Sequence, residues 1–337
     1  MNEAKSMNPS VKTAGIQVNH SLEPHGEVTS ELVVWCYRIL LGRAPESEVI
    51  VRNCLQLPNQ ATLIGNIMRS TEFRARAIRE TFLSLHDPFV QGRVPQGFKL
   101  WVDLRDTGVS IPCLFGAYEP AETQYIASQL AEGDAFVDVG ANIGWHTFNA
   151  CQRVGVAGRI YAFEPRAETR DLLERSVSAN SFDGRVLVYP FGLAEKSAAA
   201  ELHWAPATDN PGGTSLAVGD AGSDMAEEIQ LRALDSFSIR HRVRLMKLDI
   251  EGAEPRAIRG AKRLISDHRP IIVSEVHDRQ LLAVSGITAR AYVAEVTELG
   301  YRASLLASSG GLQPLEDHLL GSGCLLNVVF EPAPTPS

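Results

Sequence analysis

The sequence predicts an α/β protein, a doubly wound and mostly parallel sheet preceded by a small all-α module. Three observations carry this. Apolar runs ending in an acid recur along the second part of the chain: Phe136-Val-Asp138, Arg159-Ile-Tyr-Ala-Phe163 before Glu164, Val243-Arg-Leu-Met-Lys-Leu-Asp249 and Pro270-Ile-Ile-Val-Ser-Glu275. Near-continuous apolar runs are what strands buried on both faces require. The first run turns through Gly140 and Gly144 into a helical pattern, so a strand passes directly into a helix. Residues 28–90 instead read as helices.

In order, residues 1–27 are polar and aperiodic and are expected to be disordered. Residues 28–90 form the helical module. Glu31 to Gly42 reads as an amphipathic helix closed by Gly42. Residues 62–68 and 70–85 read as further helices, the latter from a Ser/Thr cap with Glu72 nearby. The segment 98–115 alternates around Asp106-Thr-Gly108, a hairpin signal. A helix over 120–130 has Pro120 in its first turn. Hairpin and helix stand where they could cover a ligand. Residues 185–189 are the third strand, and 198–204 an added strand. The loop 209–215 is a solvated turn or a substrate loop. After the acid-tipped fifth strand come a helix over 292–299 and strands over 301–306 and 323–330, with a loose tail over 331–337.

Composition bounds the function. The chain has 337 residues, 45% apolar and 21% charged, enough for a substantial core. A net charge of −8 makes nucleic acid an unfavourable partner. Cys36, Cys54, Cys113, Cys151 and Cys324 lack paired spacing and suit free thiols in a reducing compartment. No run approaches membrane-spanning length, and no signal-type stretch opens the chain. A cytoplasmic protein is expected, with a homodimer left open.

The glycine loop points to a nucleoside, and its acids say which kind. Gly140-Ala-Asn-Ile-Gly144 lacks the three-glycine spacing that seats a pyrophosphate. Asp138 would repel a pyrophosphate and attract an amine. Glu164, at the tip of the second strand, stands where a ribose offers two hydroxyls. S-adenosylmethionine has no phosphate and carries a cationic ammonium and sulfonium, so it fits this pair. The plainer alternative is that Asp138 caps the next helix and Glu164 merely ends a strand.

The chain resembles the FkbM family of class I S-adenosylmethionine-dependent methyltransferases. The matching pieces, in family order, are Tyr118-Glu-Pro, Phe136 through Gly144, Ala162-Phe-Glu-Pro165, Leu234-Asp235, Met246-Lys-Leu-Asp-Ile-Glu-Gly-Ala-Glu254, Gly260-Ala261 and Pro270 through Glu275. They cover residues 95–330. The resemblance implies a Rossmann-like seven-stranded methyltransferase sheet, mostly parallel with the last strand antiparallel. It implies cofactor contacts at Glu119, Asp138, Gly140, Asn142, Gly144, Glu164 and Asp249. The acceptor it implies is a small molecule or glycan, a hydroxyl of a sugar, glycolipid or secondary metabolite. The helical module, with Tyr37-Arg-Ile-Leu-Leu-Gly-Arg43 and Met68-Arg-Ser-Thr-Glu-Phe73, resembles a short unit often fused to bacterial glycan-modifying or secreted proteins. A helical cap on the catalytic domain is the plainer reading.

A hydroxyl nucleophile needs its proton removed as it attacks. Asp249 is the first candidate base, His277 the second, with Glu275 and Glu251 also at the rim. Glu254 reads as a helix cap, and Lys247 as an ion-pair partner on the sheet. His146 either caps its helix or stacks near the adenosine. Nothing in the spacing resembles a dedicated metal site, so no metal is expected. Two rival functions stand: an NAD-dependent oxidoreductase or epimerase, disfavoured by the missing glycine and the lack of a Tyr-x-x-x-Lys pair, and a non-catalytic scaffold working through the helical module.

Overall fold

The structure, a computed structural model, describes residues 26–73, 76, 88–204, 214–216 and 225–334. The chain divides into two units, residues 1–76 and 77–337. The expectations for 1–25, for most of the helix over 70–85 and for loop positions 209–213 lie outside the described residues.

The smaller unit is helical. Helix α1, Ser30–Cys36, is capped by Thr29 and runs on as a π-helical turn, Tyr37–Leu41, that ends at Gly42. Gly42 has φ 73, the left-handed conformation expected of a helix-closing glycine. Helix α2, Glu48–Leu55, was not anticipated from sequence, although Ser47 caps it. Helix α3, Gln60–Arg69, is capped by Asn59. Leu32, Val33, Cys36, Leu63 and Ile67 form the core of this unit.

In the larger unit, a hairpin of β1, Phe89–Arg93, and β2, Lys99–Asp103, comes first. This corrects the hairpin expected around Asp106-Thr-Gly108. The chain turns instead at Gly97, and Asp106 accepts hydrogen bonds from the backbone N–H groups of Gly108, Val109 and Ser110. Those bonds start helix α4, Ser110–Leu114. Helix α5, Pro120–Gln129, follows as expected.

The main sheet then alternates with helices: β3, Ala135–Val139; α6, Trp145–Val154; β4, Arg159–Phe163; α7, Ala167–Ala179; β5, Val186–Tyr189. The chain leaves this sheet to build a second one from β6, Phe191–Leu193, β7, Ala198–Trp204, and β8, Met225–Arg232. It returns through β9, Val243–Leu248, helices α8, Glu254–Arg259, and α9, Lys262–His268, and β10, Ile271–Val276. Helices α10, Asp278–Ser285, and α11, Ala289–Glu298, precede the closing strands β11, Tyr301–Leu306, β12, Leu312–Pro314, and β13, Leu326–Pro332.

The sheet order is β12-β11-β13-β10-β9-β3-β4-β5. Strands β5, β4, β3, β9 and β10 run parallel, and β13 is antiparallel to β10 and β11. The seven expected strands are therefore joined by one short edge strand, β12, which turns back on β11. All five residues of β3 are buried, because helices cover both faces. The hairpin does not cover a ligand. Trp101 N donates to Ser176 Oγ at 2.8 Å and Lys99 N to Asn180 Oδ1 at 2.8 Å, so the hairpin lies along α7.

Candidate active site

A cleft of about 330 Å³ opens at the carboxyl ends of the parallel strands, the place where open α/β sheets bind ligands. The first wall is the glycine loop between β3 and α6. Gly140 has φ 80, and a Cβ there would lie 2.0 Å from the carbonyl oxygen of Asp249. Only glycine lets the loops after β3 and β9 close to this distance. The N–H groups of Gly140 and Ala141 both donate to the Phe163 carbonyl at 3.0 Å, which ties the loop to β4.

Glu164 is held by that loop. Its Oε2 accepts from Asn142 N at 2.9 Å and its Oε1 from Arg166 N at 3.0 Å. Burial pushes its carboxyl up to about 7, against these bonds. Each oxygen keeps a lone pair beyond its backbone partner, so the carboxylate can take two further hydroxyl donors. Phe163, Pro165, Phe191 and Gly192 line the cleft beside it.

Asp249, Glu251 and Glu275 also line the cleft, with Gln280. Lys247, buried inside β9, donates from Nζ to Asp249 Oδ2 at 2.7 Å. The expected ion pair on the sheet is therefore made with the strand's own terminal acid. Burial alone would lower the Lys247 ammonium, but Asp249, Glu119, Glu122 and Asp138 hold it well above its ordinary value. Gln280 donates its amide to Glu251. Burial, then the charges of Asp249 and Glu254, pushes Glu251 up to about 7. Burial, then Asp249 and Glu251, pushes Glu275 up to about 10. Glu254 does not make the expected cap, since its helix has no side-chain cap; it ties the preceding loop instead, accepting from Ile250 N at 2.9 Å and Gly252 N at 3.3 Å.

Glu119 joins the cleft from the N-terminus of α5. His146 Nε2 lies 2.8 Å from its Oε2. Burial raises the Glu119 carboxyl, but Lys247 and the His146 bond outweigh it and hold it below the usual range. Glu119, Glu122 and His146 bring ligand-type atoms within 4.8 Å of one another. Lys247 supplies positive charge to both glutamates. Glu119, Asn142 and Glu251, all in the lining, have φ of 40, 50 and 54. Left-handed backbone at a residue with a side chain costs about 1–3 kcal/mol and gathers at functional sites. No sequence signal pointed to the two strained glutamates, and only Asn142 is of a type enriched at positive φ.

The residues expected at the site divide. Glu119, Gly140, Asn142, Glu164, Asp249 and Glu275 line the cleft, whereas Asp138, Gly144 and His277 do not. Asp138 is 1% exposed and accepts from Thr147 Oγ1 at 2.6 Å, underneath the glycine loop. It belongs to the pleat of β3, opposite Lys247, and so points into the packing. Gly144 serves packing, since a Cβ there would strike Phe148 and Leu173 at 2.5 and 2.6 Å. His277 caps α10 by position, and its Nε2 donates to the Gly323 carbonyl at 3.2 Å. His146 is buried against Glu119 and likewise stays out of the lining. The second sheet, of which the sequence showed only the added strand β7, adds Leu193, Leu202, Ile229 and Leu231 to the lining.

The donor set decides what fits. Five carboxylates line the cleft, Glu119, Glu164, Asp249, Glu251 and Glu275, and among the described residues no Lys, Arg or His does. That composition suits a phosphate-free, cationic nucleoside and opposes a pyrophosphate. S-adenosylmethionine meets it, and NAD does not.

Residues 138–303 match the model of the Methyltransferase FkbM domain. No curated protein matches the chain. Solved structures resemble it distantly. An FkbM methyltransferase from Methylobacillus flagellatus is 16% identical, with 84% of this chain and 65% of that one covered and a TM-score of 0.37. A SAM-dependent O-methyltransferase from Thermotoga maritima is 14% identical, covering 65% and 67%, at 0.38. An rRNA methylase from Streptococcus thermophilus is 13% identical, covering 63% and 95%, at 0.37. Residues 138–303 carry a Methyltransferase FkbM domain, a family whose methyl donor is S-adenosylmethionine.

Proposed function

We propose that the protein is an O-methyltransferase acting on a hydroxyl of a sugar, glycolipid or secondary metabolite. The observation that carries this is the lining itself, five carboxylates and no described cationic side chain. Such a wall accepts hydrogen bonds from hydroxyl groups and repels phosphates. It therefore disfavours an RNA acceptor, as does the net charge of −8.

Bound S-adenosylmethionine supplies an electrophilic methyl group on sulfur. The protein's part is to bind, orient and remove a proton. Glu164 and the N–H-rich loop around Asn142 would take the ribose. Glu119 would take the ammonium of the methionyl tail. Asp249, beside the glycine loop and fixed in orientation by Lys247, would accept the proton of the acceptor hydroxyl. Glu251 is the rival base, favoured by a carboxyl pushed up to about 7, near working pH. We take residues 77–337 as the catalytic unit and leave the helical unit outside the chemistry.

The test is label transfer from S-adenosylmethionine carrying a radioactive methyl group into cell extract fractions. Base-stable label in neutral glycan or metabolite fractions is the expected result; base-labile label, or label in RNA, would refute the O-methyl ether reading. Asp249→Asn should keep cofactor affinity while turnover falls by roughly 10²–10⁴. If Glu251→Gln shows that loss and Asp249→Asn does not, Glu251 is the base.

A further inference from the structure

We propose that Glu251 and Glu275 are specificity-determining residues that read the cofactor's positive charge, so that the cleft prefers S-adenosylmethionine to its uncharged-sulfur product, S-adenosylhomocysteine. The inference rests on the cofactor assignment above. The two molecules differ by one methyl group and by the sulfonium charge, so a preference between them reports mainly the charge of the wall they face.

The charges on that wall are unbalanced. Asp249 has a partner, the buried Lys247 ammonium at 2.7 Å. Asp249 and Glu254 act on both Glu251 and Glu275 from the negative side, Glu251 acts also on Glu275, and Lys247 acts on both from the positive side. Gln280, from α10, gives Glu251 a neutral amide. The stretch between Trp204 and Met225, which supplies Thr214 and Leu216 to the lining, contains Asp209, Asp220 and Asp224 and no Lys, Arg or His. Among the described residues the lining thus has no cation to balance Glu251 and Glu275, and a cationic ligand can supply one.

The same arrangement couples binding to protons. Without a ligand, burial and the charge of Asp249 push Glu275 up to about 10 and Glu251 up to about 7, so near neutral pH Glu275 holds its proton and Glu251 holds one about half the time. A positive charge in the cleft favours the ionised pair and expels a proton, and a neutral sulfur does not. The preference for the charged cofactor therefore widens as pH rises through the value of Glu251.

The experiment is titration calorimetry of the full chain with each compound, in two buffers of different ionisation enthalpy, at several pH values. We expect S-adenosylmethionine to bind about tenfold more tightly than S-adenosylhomocysteine, the equivalent of one pKa unit. Proton release should be larger with S-adenosylmethionine, since the ribose draws on Glu164 in both compounds and only the sulfonium draws on Glu251 and Glu275. Glu251→Gln/Glu275→Gln should bring the two affinities near parity while S-adenosylhomocysteine still binds, which shows the cleft intact. Glu201→Gln, exposed on β7, should leave the ratio unchanged. Equal or tighter binding of S-adenosylhomocysteine to the wild-type protein would overturn the inference, as would equal proton release or a preference that survives in the double variant. Failure of both compounds to bind would instead overturn the cofactor assignment and the inference with it.

Discussion

Lys247→Met tests the electrostatic frame of the site. The ammonium is set among Asp249, Glu119, Glu122 and Asp138. The Lys247 and Asp249 side chains are 3% and 22% exposed, so solvent screens their pair weakly. Removing one partner of a buried pair costs about 3–5 kcal/mol. Methionine nearly conserves the volume, so a cavity adds little. In a unit of this size the loss lowers Tm by roughly 6–20 °C. The pH dependence has a definite sign. In the wild-type protein the ammonium's folded value is raised, so its contribution is complete at neutral pH and is lost only as pH rises through that value. In the variant, the uncompensated carboxylates have folded values above their unfolded ones. Their penalty is full above those folded values and fades as they protonate. The deficit should thus be largest near about pH 8 and shrink toward about pH 5. Urea denaturation followed by tryptophan fluorescence reads this, since Trp101, Trp145 and Trp204 all belong to the larger unit. Asp249→Asn in the same background should recover part of the loss. A deficit that is absent, or that grows on acidification, would refute the reasoning.

Three further predictions follow from the geometry. Gly140→Ala must relieve a contact of 2.0 Å with the Asp249 carbonyl and a φ of 80, so it should separate the two loops and abolish cofactor binding in calorimetry, with most of the helical circular dichroism retained. Glu164→Gln should weaken cofactor binding roughly ten- to hundredfold at alkaline pH, the worth of a charged hydrogen bond. Because burial raises Glu164 to about 7, wild-type affinity for S-adenosylhomocysteine, which lacks the sulfonium charge, should fall as pH drops through that value, and the variant should lose that fall. Asp138→Ala should cost about 1–3 kcal/mol of stability through the orphaned Thr147 hydroxyl and leave cofactor affinity nearly unchanged, because Asp138 lies beneath the loop. Loss of affinity at full stability would return Asp138 to the ligand.

The sheet was legible because a parallel strand buried on both faces writes itself as an unbroken apolar run, as in β3 and β10. Topology then brings the strand tips to one rim, which is how Glu164, Asp249 and Glu275 could be grouped from sequence. Which way each acid faces was not legible. Glu164 and Asp249 are the first residues beyond β4 and β9 and have left the pleat, whereas Asp138 is still inside β3 and follows its alternation into the packing. A one-residue difference in where the strand stops separates a ligand contact from a core contact. Asp106-Thr-Gly108 was ambiguous for a related reason. The same residues suit a hairpin turn or a helix start, and the choice fell to Gly97, whose turn joins β1 and β2. The alternation of Ile229 and Leu231 would have exposed β8. The left-handed glutamates Glu119 and Glu251 carry no such signal, whereas Asn142 is of a residue type enriched at positive φ. Such backbone persists only where the surroundings over-determine it. Here the surroundings are the tie from Gly140 and Ala141 to Phe163 and the proline that starts α5 just after Glu119. The site's geometry is therefore imposed on its loops by the sheet and its first helices, and the carboxylates are held facing one another at a cost that an entering cation would offset.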